Sequence, residues 1–216
     1  MNESKIKRDP EGTRRRILTA AAEEFANGGL SGARVDQIAR RALTNERMLY
    51  YYFGSKEQLF TAVLEQAFAC LADAERQLDL AGLEPVEAIT QLAHFIWNYY
   101  FEHQELLRLL NNENLHEARY IKNSSRINEM MSPITSMTAN ILQRGAEAGV
   151  FRKDVDAVRF YVTLSALGYY VLSNRYTLAA ILGRDFTEAQ ERAEIVRMST
   201  DMVLSYLRVG INGSGA

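Results

Sequence analysis

The densest chemistry in this chain runs from Asn45 through Glu46, Arg47, Met48, Leu49, Tyr50, Tyr51, Tyr52 and Phe53 to Lys56. No nucleophile in this string sits beside a base. Its groups donate and accept hydrogen bonds, which makes it chemistry of recognition. A guanidinium such as that of Arg47 can donate two hydrogen bonds to guanine O6 and N7, and a carboxylate such as Glu46 can accept from a cytosine amine. A phenolic hydroxyl can donate to a phosphate oxygen while its ring packs, so three consecutive tyrosines suit DNA better than they suit a plain core, which would use Phe or Leu. If the string is helical, Leu49 and Phe53 lie one turn apart and anchor one face. Asn45, Arg47, Tyr50 and Tyr51 are then left on faces that can meet DNA. The competing reading of each is a solvated helix residue.

A second group lies between residues 86 and 176, where Trp97, Tyr99, Tyr100, Phe101, Met130, Met131, Met137, Tyr161, Tyr169 and Tyr170 fall among amides. Stripes of this kind usually pack a core. A small-molecule pocket, however, needs apolar walls with a few polar anchors. His94, Trp97, Asn98 and Phe101 on one helix, Asn111 and Asn112 near a helix end, and Tyr169 offer that mixture and are the candidate ligand contacts. The sequence does not reveal the ligand. His94, His103 and His116 have no cysteine or paired carboxylate at ligand spacing, so no metal is expected. No Gly-rich phosphate loop, His-Glu-x-x-His or Gly-x-Ser-x-Gly occurs, so neither catalysis nor a cofactor is expected.

The elements that must hold these residues read as helices throughout, because apolar positions recur at helical spacing and alternating strand patterns are absent. Ile17, Leu18, Ala21, Ala22 and Phe25 make a first stripe, stopped at Gly28-Gly29. A short helix over about 33–41 and another from Asn45 to about Tyr51 follow. Ser55-Lys56-Glu57-Gln58 is a capping box that opens a long fourth helix, with the stripe Leu59, Val63, Ala67, Leu71, Ala74 and Leu78 continuing toward Gly82. Pro85 starts a fifth helix toward His103, and Gln104 to Asn112 makes a short sixth. The spacing then predicts a long helix over 113–149 interrupted near Ser132-Pro133, one capped by Asp154 and reaching Tyr176, and a last one opened by a capping box at Thr187 and ended by Gly210. That makes nine helices and a frayed tail from Asn212.

The net charge of −2 speaks against a whole-chain affinity for nucleic acid, but residues 1–60 carry +3 and residues 61–216 carry −5. A basic front module joined to an acidic rear one fits a division between phosphate contact and another task. The basic residues Lys5, Lys7, Arg8 and Arg14 to Arg16 could track a DNA backbone or simply face solvent. Cys70 is the single cysteine, which excludes an intramolecular disulfide and fits a reducing cytoplasm. No apolar run is long enough for a membrane span and the first ten residues are polar, so neither a span nor a signal peptide is expected.

Two short helices joined by a three- or four-residue turn and backed by a longer one match a helix-turn-helix. At this level the chain resembles the tetracycline-repressor (TetR) family of bacterial transcription regulators over Thr13 to Leu64. The resemblance rests on Arg16-Ile17-Leu18, Ala21-Ala22, Phe25, Gly29, Val35, Gln37-Ile38-Ala39 and Ala42, and above all on Leu49-Tyr50-Tyr51-Tyr52-Phe53-Gly54-Ser55-Lys56-Glu57-Gln58-Leu59. It implies an all-α protein with a DNA-binding domain over 1–60 and a helical effector-binding and dimerisation domain over 61–216. It also implies a homodimer that binds a double-stranded operator and is released by a small molecule. By the same resemblance, Arg34, Tyr50, Tyr51, Tyr52 and Lys56 fall on phosphate-contact positions, and Asn45, Glu46, Arg47 and Met48 on base-reading ones. The turn departs from the family pattern. Leu43 stands where a glycine is usual and Glu46 where a lysine is usual, so operator preference is expected to differ. A DNA-binding protein without an effector, and a helical binding protein or enzyme that has lost operator binding, are the alternative functions. The dimer is expected to use Val158, Val162, Ser165 and Tyr169 with Val196, Thr200, Val203 and Leu207.

Overall fold

Capping and helix-stop chemistry fixes most of the element ends. The computed structural model describes residues 9–208, and its helices are α1 Pro10–Gly32, α2 Val35–Arg41, α3 Glu46–Phe53, α4 Lys56–Arg76, α5 Pro85–Glu102, α6 Gln104–Leu115, α7 Ser125–Glu147, α8 Ala157–Ser173, α9 Arg175–Leu182 and α10 Ala189–Leu207. A 3-10 turn spans Ile121–Asn123, and Phe151 and Arg208 form an isolated antiparallel bridge. Ten α-helices, rather than nine, are thus present among the described residues. The basic residues Lys5, Lys7 and Arg8, the Gly210 stop and the tail from Asn212 lie outside them.

The chain forms two compact units, one of residues 9–68 with 108–127 and one of residues 69–107 with 128–208. In the first, Asp9 caps α1 by accepting from the Gly12 N–H at 2.8 Å, with Pro10 at the first helical position, where it has no bond to lose. Ile17, Ala21 and Phe25 are buried with Ile38, Leu49, Leu59, Phe60 and Leu64. Phe25 meets Phe60 edge to face at 5.1 Å, and Phe60 meets Tyr120 likewise at 5.3 Å. Gly29 takes a φ of +64° and kinks α1, which then runs one more turn to Gly32 instead of stopping at Gly28-Gly29. A Cβ at Gly29 would collide with the amide of Asn112, whose Oδ1 accepts from the Leu30 N–H at 3.2 Å. The position needs glycine for both φ and space.

In the second unit α5 packs against α8 and α10, burying Ile89, Leu92, Ile96 and Trp97 with Phe160, Leu164, Leu172, Val203 and Leu207. Gly168 lets the Trp97 ring lie close against α8, since a Cβ there would sit 3.3 Å from the indole. Arg144 donates to the carbonyls of Leu80, Ala81 and Leu83 and so ties the loop before α5 to α7.

Several boundaries differ from the sequence reading. Pro133 lies inside an unbroken α7; the break comes earlier, where Glu117 and Ala118 take positive φ. There the buried Glu113 carboxylate accepts from the Tyr120 and Ile121 N–H groups at 2.7 and 2.8 Å. Asp154 takes a φ of +67° and it is Asp156 that caps α8, accepting from Arg159 N–H at 2.8 Å. The helix expected to reach Tyr176 instead breaks at Asn174 and restarts as α9. Thr187 opens no capping box, because its N–H and hydroxyl both donate to Asp185 and Glu188 takes the cap position without a side-chain bond. Helix α4 ends at Arg76, short of Leu78.

Candidate functional site

Helix α3 is held from below and presented from above. Asn45 caps it by accepting from the Met48 N–H at 3.2 Å, and Gly54, at φ +77°, ends it. Leu49 and Phe53 are buried, as their one-turn spacing requires, and Arg14 stacks over the Phe53 ring at 5.1 Å. Ser55 then starts α4 by accepting from the Gln58 N–H at 3.1 Å. Asn45, Glu46, Arg47, Tyr50 and Tyr51 are exposed together, Tyr51 at 76%, while Met48, Tyr52 and Lys56 are half-buried. Tyr51 and Tyr52 meet edge to face at 5.2 Å, which fixes the two rings against each other.

The turn between α2 and α3 is formed without a glycine. Leu43 takes φ +53° and projects into solvent at 83% exposure, while Leu43 N–H and Thr44 N–H bond the Arg40 and Ala39 carbonyls. Arg16 donates to the Ala42 carbonyl at 3.2 Å and pins the turn to α1. A branched residue in the left-handed region costs about 1–2 kcal/mol, so the turn is formed under strain. Arg34, on the residue before α2, is exposed and holds both oxygens of Asp36 at 3.0 and 3.1 Å. That guanidinium, bonding the carboxylate directly, holds Asp36 below its ordinary pKa.

This arrangement defines a helix-turn-helix DNA-binding protein: a short supporting helix, a tight turn, and a second helix with a polar and aromatic face turned outward. The description "Bacterial regulatory proteins, tetR family" matches residues 17–63, and "Tetracyclin repressor-like, C-terminal domain" matches residues 85–203. The chain is 37% identical over 196 residues to the HTH-type transcriptional repressor NicS of Pseudomonas putida, covering 91% of this chain and 92% of that one. It is 43% identical over 105 residues to the HTH-type transcriptional repressor SCO4008 of Streptomyces coelicolor, covering 48% and 50% of the two. Among solved structures, SCO4942 of Streptomyces coelicolor superposes with a TM-score of 0.66 at 26% identity, over 88% of this chain and 97% of that one. The chain belongs to the TetR family of bacterial regulatory proteins.

The seven candidate ligand contacts are divided between the two units. Asn111 and Asn112 lie in the first unit, where Asn112 serves the kink of α1. His94 is exposed on α5. Asn98 accepts from Arg192 at 2.6 Å, and the same guanidinium lies 3.7 Å from the centre of the Phe101 ring, so those two residues join α5 to α10. Trp97 and Tyr169 remain beside Tyr100, Tyr161, Ser165 and Glu75, of which only Glu75 is absent from the stripes read in the sequence. Tyr169 meets Tyr100 edge to face at 6.4 Å. Ser165 Oγ, buried, lies beside the Tyr100 and Tyr161 hydroxyls without a well-formed bond, and Trp97 Nε1 is buried with no partner among the described residues. The Tyr161 hydroxyl donates to Glu75 Oε1 at 3.2 Å.

Glu75 is only 4% exposed. Burial pushes its carboxyl up to about 7, outweighing the Tyr161 bond, and burial likewise raises the pKa of Tyr161 and Tyr100. The signal in the sequence was a carboxylate one turn after Leu71 on the stripe of α4. The stripe assigned to that helix passed through Ala74 and Leu78 and so missed it, whereas Leu71, Ala72 and Glu75 form the buried face.

Proposed function

We propose that this chain is an effector-responsive transcriptional repressor of the cytoplasm, with DNA reading in residues 1–60 and effector binding and dimerisation in residues 61–216. The exposed face of α3 carries the reading: Asn45, Glu46, Arg47 and Met48 address base edges in the major groove, and Tyr50, Tyr51 and Tyr52 address phosphates together with Arg34 before α2 and Lys56 at the start of α4. The repressor names of the relatives support the same direction of control. A homodimer gives an inverted-repeat operator with half-sites about 34 Å apart, one helical turn.

The pairing surface proposed is the outward face of α8 and α10. Val158 and Val162 stand out from α8, and Met198, Met202 and Tyr206 stand out from α10 at successive turns. This replaces the stripe expected on α10, because Thr200, Val203 and Leu207 are buried in the monomer's own core. A mobility-shift titration of the DNA upstream of the chain's own gene tests the function. A retarded complex competed by the same duplex but not by a scrambled one is expected, and equal competition by both would remove the operator reading.

A further inference from the structure

We propose that the effector is a small organic cation, a protonated amine or nitrogen heterocycle, whose charge is met by Glu75 in a cleft between α4 and α7. The proposal rests on the effector-responsive reading above and adds the chemical class of the ligand. The cleft has a volume of about 220 Å³ and is lined by Ala72, Leu78, Met130, Pro133, Ile134 and Met137, with Glu75 and Arg76 as its polar residues. Its walls are therefore those of an apolar slot for a single ring.

A buried carboxylate is costly unless a cation or several donors meet it. Glu75 receives one hydroxyl, from Tyr161, and among the described residues no Lys, Arg or His forms an ion pair with it. Arg76, the neighbouring cation, is turned to Asp73. The ionisable groups near the carboxyl are Arg76 on its own helix, Tyr161 on α8, and Tyr99 and Tyr100 on α5, and among the described residues α7 contributes only the apolar side chains of Met130, Pro133, Ile134 and Met137 to the cleft wall. All three tyrosines are pushed upward by burial, so across pH 6 to 8 they stay neutral and Glu75 is the group that changes charge. Without a cationic partner, Glu75 is thus a proton-bound carboxyl at mildly acidic pH. A cationic ligand takes the place of that proton.

Binding then releases a proton from Glu75, and affinity for an amine that is charged throughout rises with pH. With a carboxyl near 7, the ionised fraction grows about tenfold between pH 6 and pH 8. The full-length protein is titrated calorimetrically with benzylamine, benzyl alcohol and benzoate at both pH values, beside Glu75→Gln. Benzylamine is expected to bind about tenfold more tightly at pH 8 than at pH 6, to lose this dependence and most of its affinity in Glu75→Gln, and to exceed the alcohol and the acid. Should Glu75→Gln fold poorly, the pH dependence of the unaltered protein carries the test. Absent amine binding, amine binding without pH dependence, or benzoate binding as tightly as benzylamine would each overturn the cationic class. A mobility-shift assay run beside it separates the two ideas: operator release by benzoate or by an uncharged compound overturns the cationic class while the effector reading stands.

Discussion

The hydroxyl of Tyr51 is the exposed group on α3 best suited to a phosphate, since three-quarters of the residue is open while its ring rests against Tyr52. Replacing it with Phe removes a contact that carries little sequence information. Operator and random DNA should therefore both weaken by about 1 kcal/mol, read by fluorescence anisotropy at fixed salt. Arg47→Ala differs in kind. It should cost about 1–3 kcal/mol on the operator and relax the preference at one base pair per half-site, and a uniform loss on every duplex would make it a backbone contact. Glu75 supplies a prediction for the ligand-free protein. Its folded pKa, near 7, lies above the ordinary carboxylate value of 4.5, so its contribution to stability is complete below pH 4.5 and is lost as pH rises through 7. The loss is on the order of 3 kcal/mol at most. Thermal melts of Glu75→Gln should decline less between pH 5 and pH 8 than those of the unaltered chain, and parallel declines would show that another group sets the slope.

Turns separate what local residue chemistry dictates from what tertiary context decides. Leu43 holds a left-handed conformation with its side chain in solvent, so Leu43→Gly relieves strain without removing packing. It should stabilise the chain by about 1 kcal/mol, seen as a rise of about 2–4 °C in Tm, and a fall in Tm would mean that the leucine makes contacts of its own. Elements fixed by their own residues were legible in the sequence: the Asn45 cap, the Leu49 and Phe53 anchor, the Ser55 start of α4 and the Pro85 start of α5 all use groups a few positions apart. Where a distant partner decides, the sequence reading failed. The chain breaks after α6 because a buried Glu113 gathers two N–H groups from seven and eight residues further on, while Pro133, the local breaker, is carried inside α7. Asp154 and Asp156 are equally good caps by type, and only the backbone of the 149–156 loop selects the second. Whether an asparagine such as Asn112 lines a cavity or braces a kink depends on packing that spacing does not encode.

At the scale of the whole molecule, the account requires a surface to join two chains, and α10 has two distinct faces. Met202 is 55% exposed and Val203, its neighbour, only 5%. Met202→Glu should therefore leave a folded helical monomer that binds the operator poorly, because a charge placed in a paired apolar face disfavours association without disturbing the fold. Val203→Glu should instead destabilise each chain by about 3 kcal/mol or more, since it buries an unpaired carboxylate. Light scattering with circular dichroism distinguishes the two, and a Met202→Glu protein that remains dimeric would place the interface elsewhere. Separate duties for the front and rear of the chain also fit its charge, +3 over residues 1–60 against −5 over the remainder, which favours phosphate contact at one end only.

The central claim, specific reading of a DNA site by the exposed face of α3, is tested most directly by anisotropy titration of the unaltered protein. One labelled duplex comes from upstream of its own gene and the other is a scrambled duplex of equal length, both at physiological salt. The account predicts binding to the first at least about a thousandfold tighter than to the second, with most of that ratio lost in Arg47→Ala. Equal affinity for both duplexes, or a full preference retained in Arg47→Ala, would contradict it.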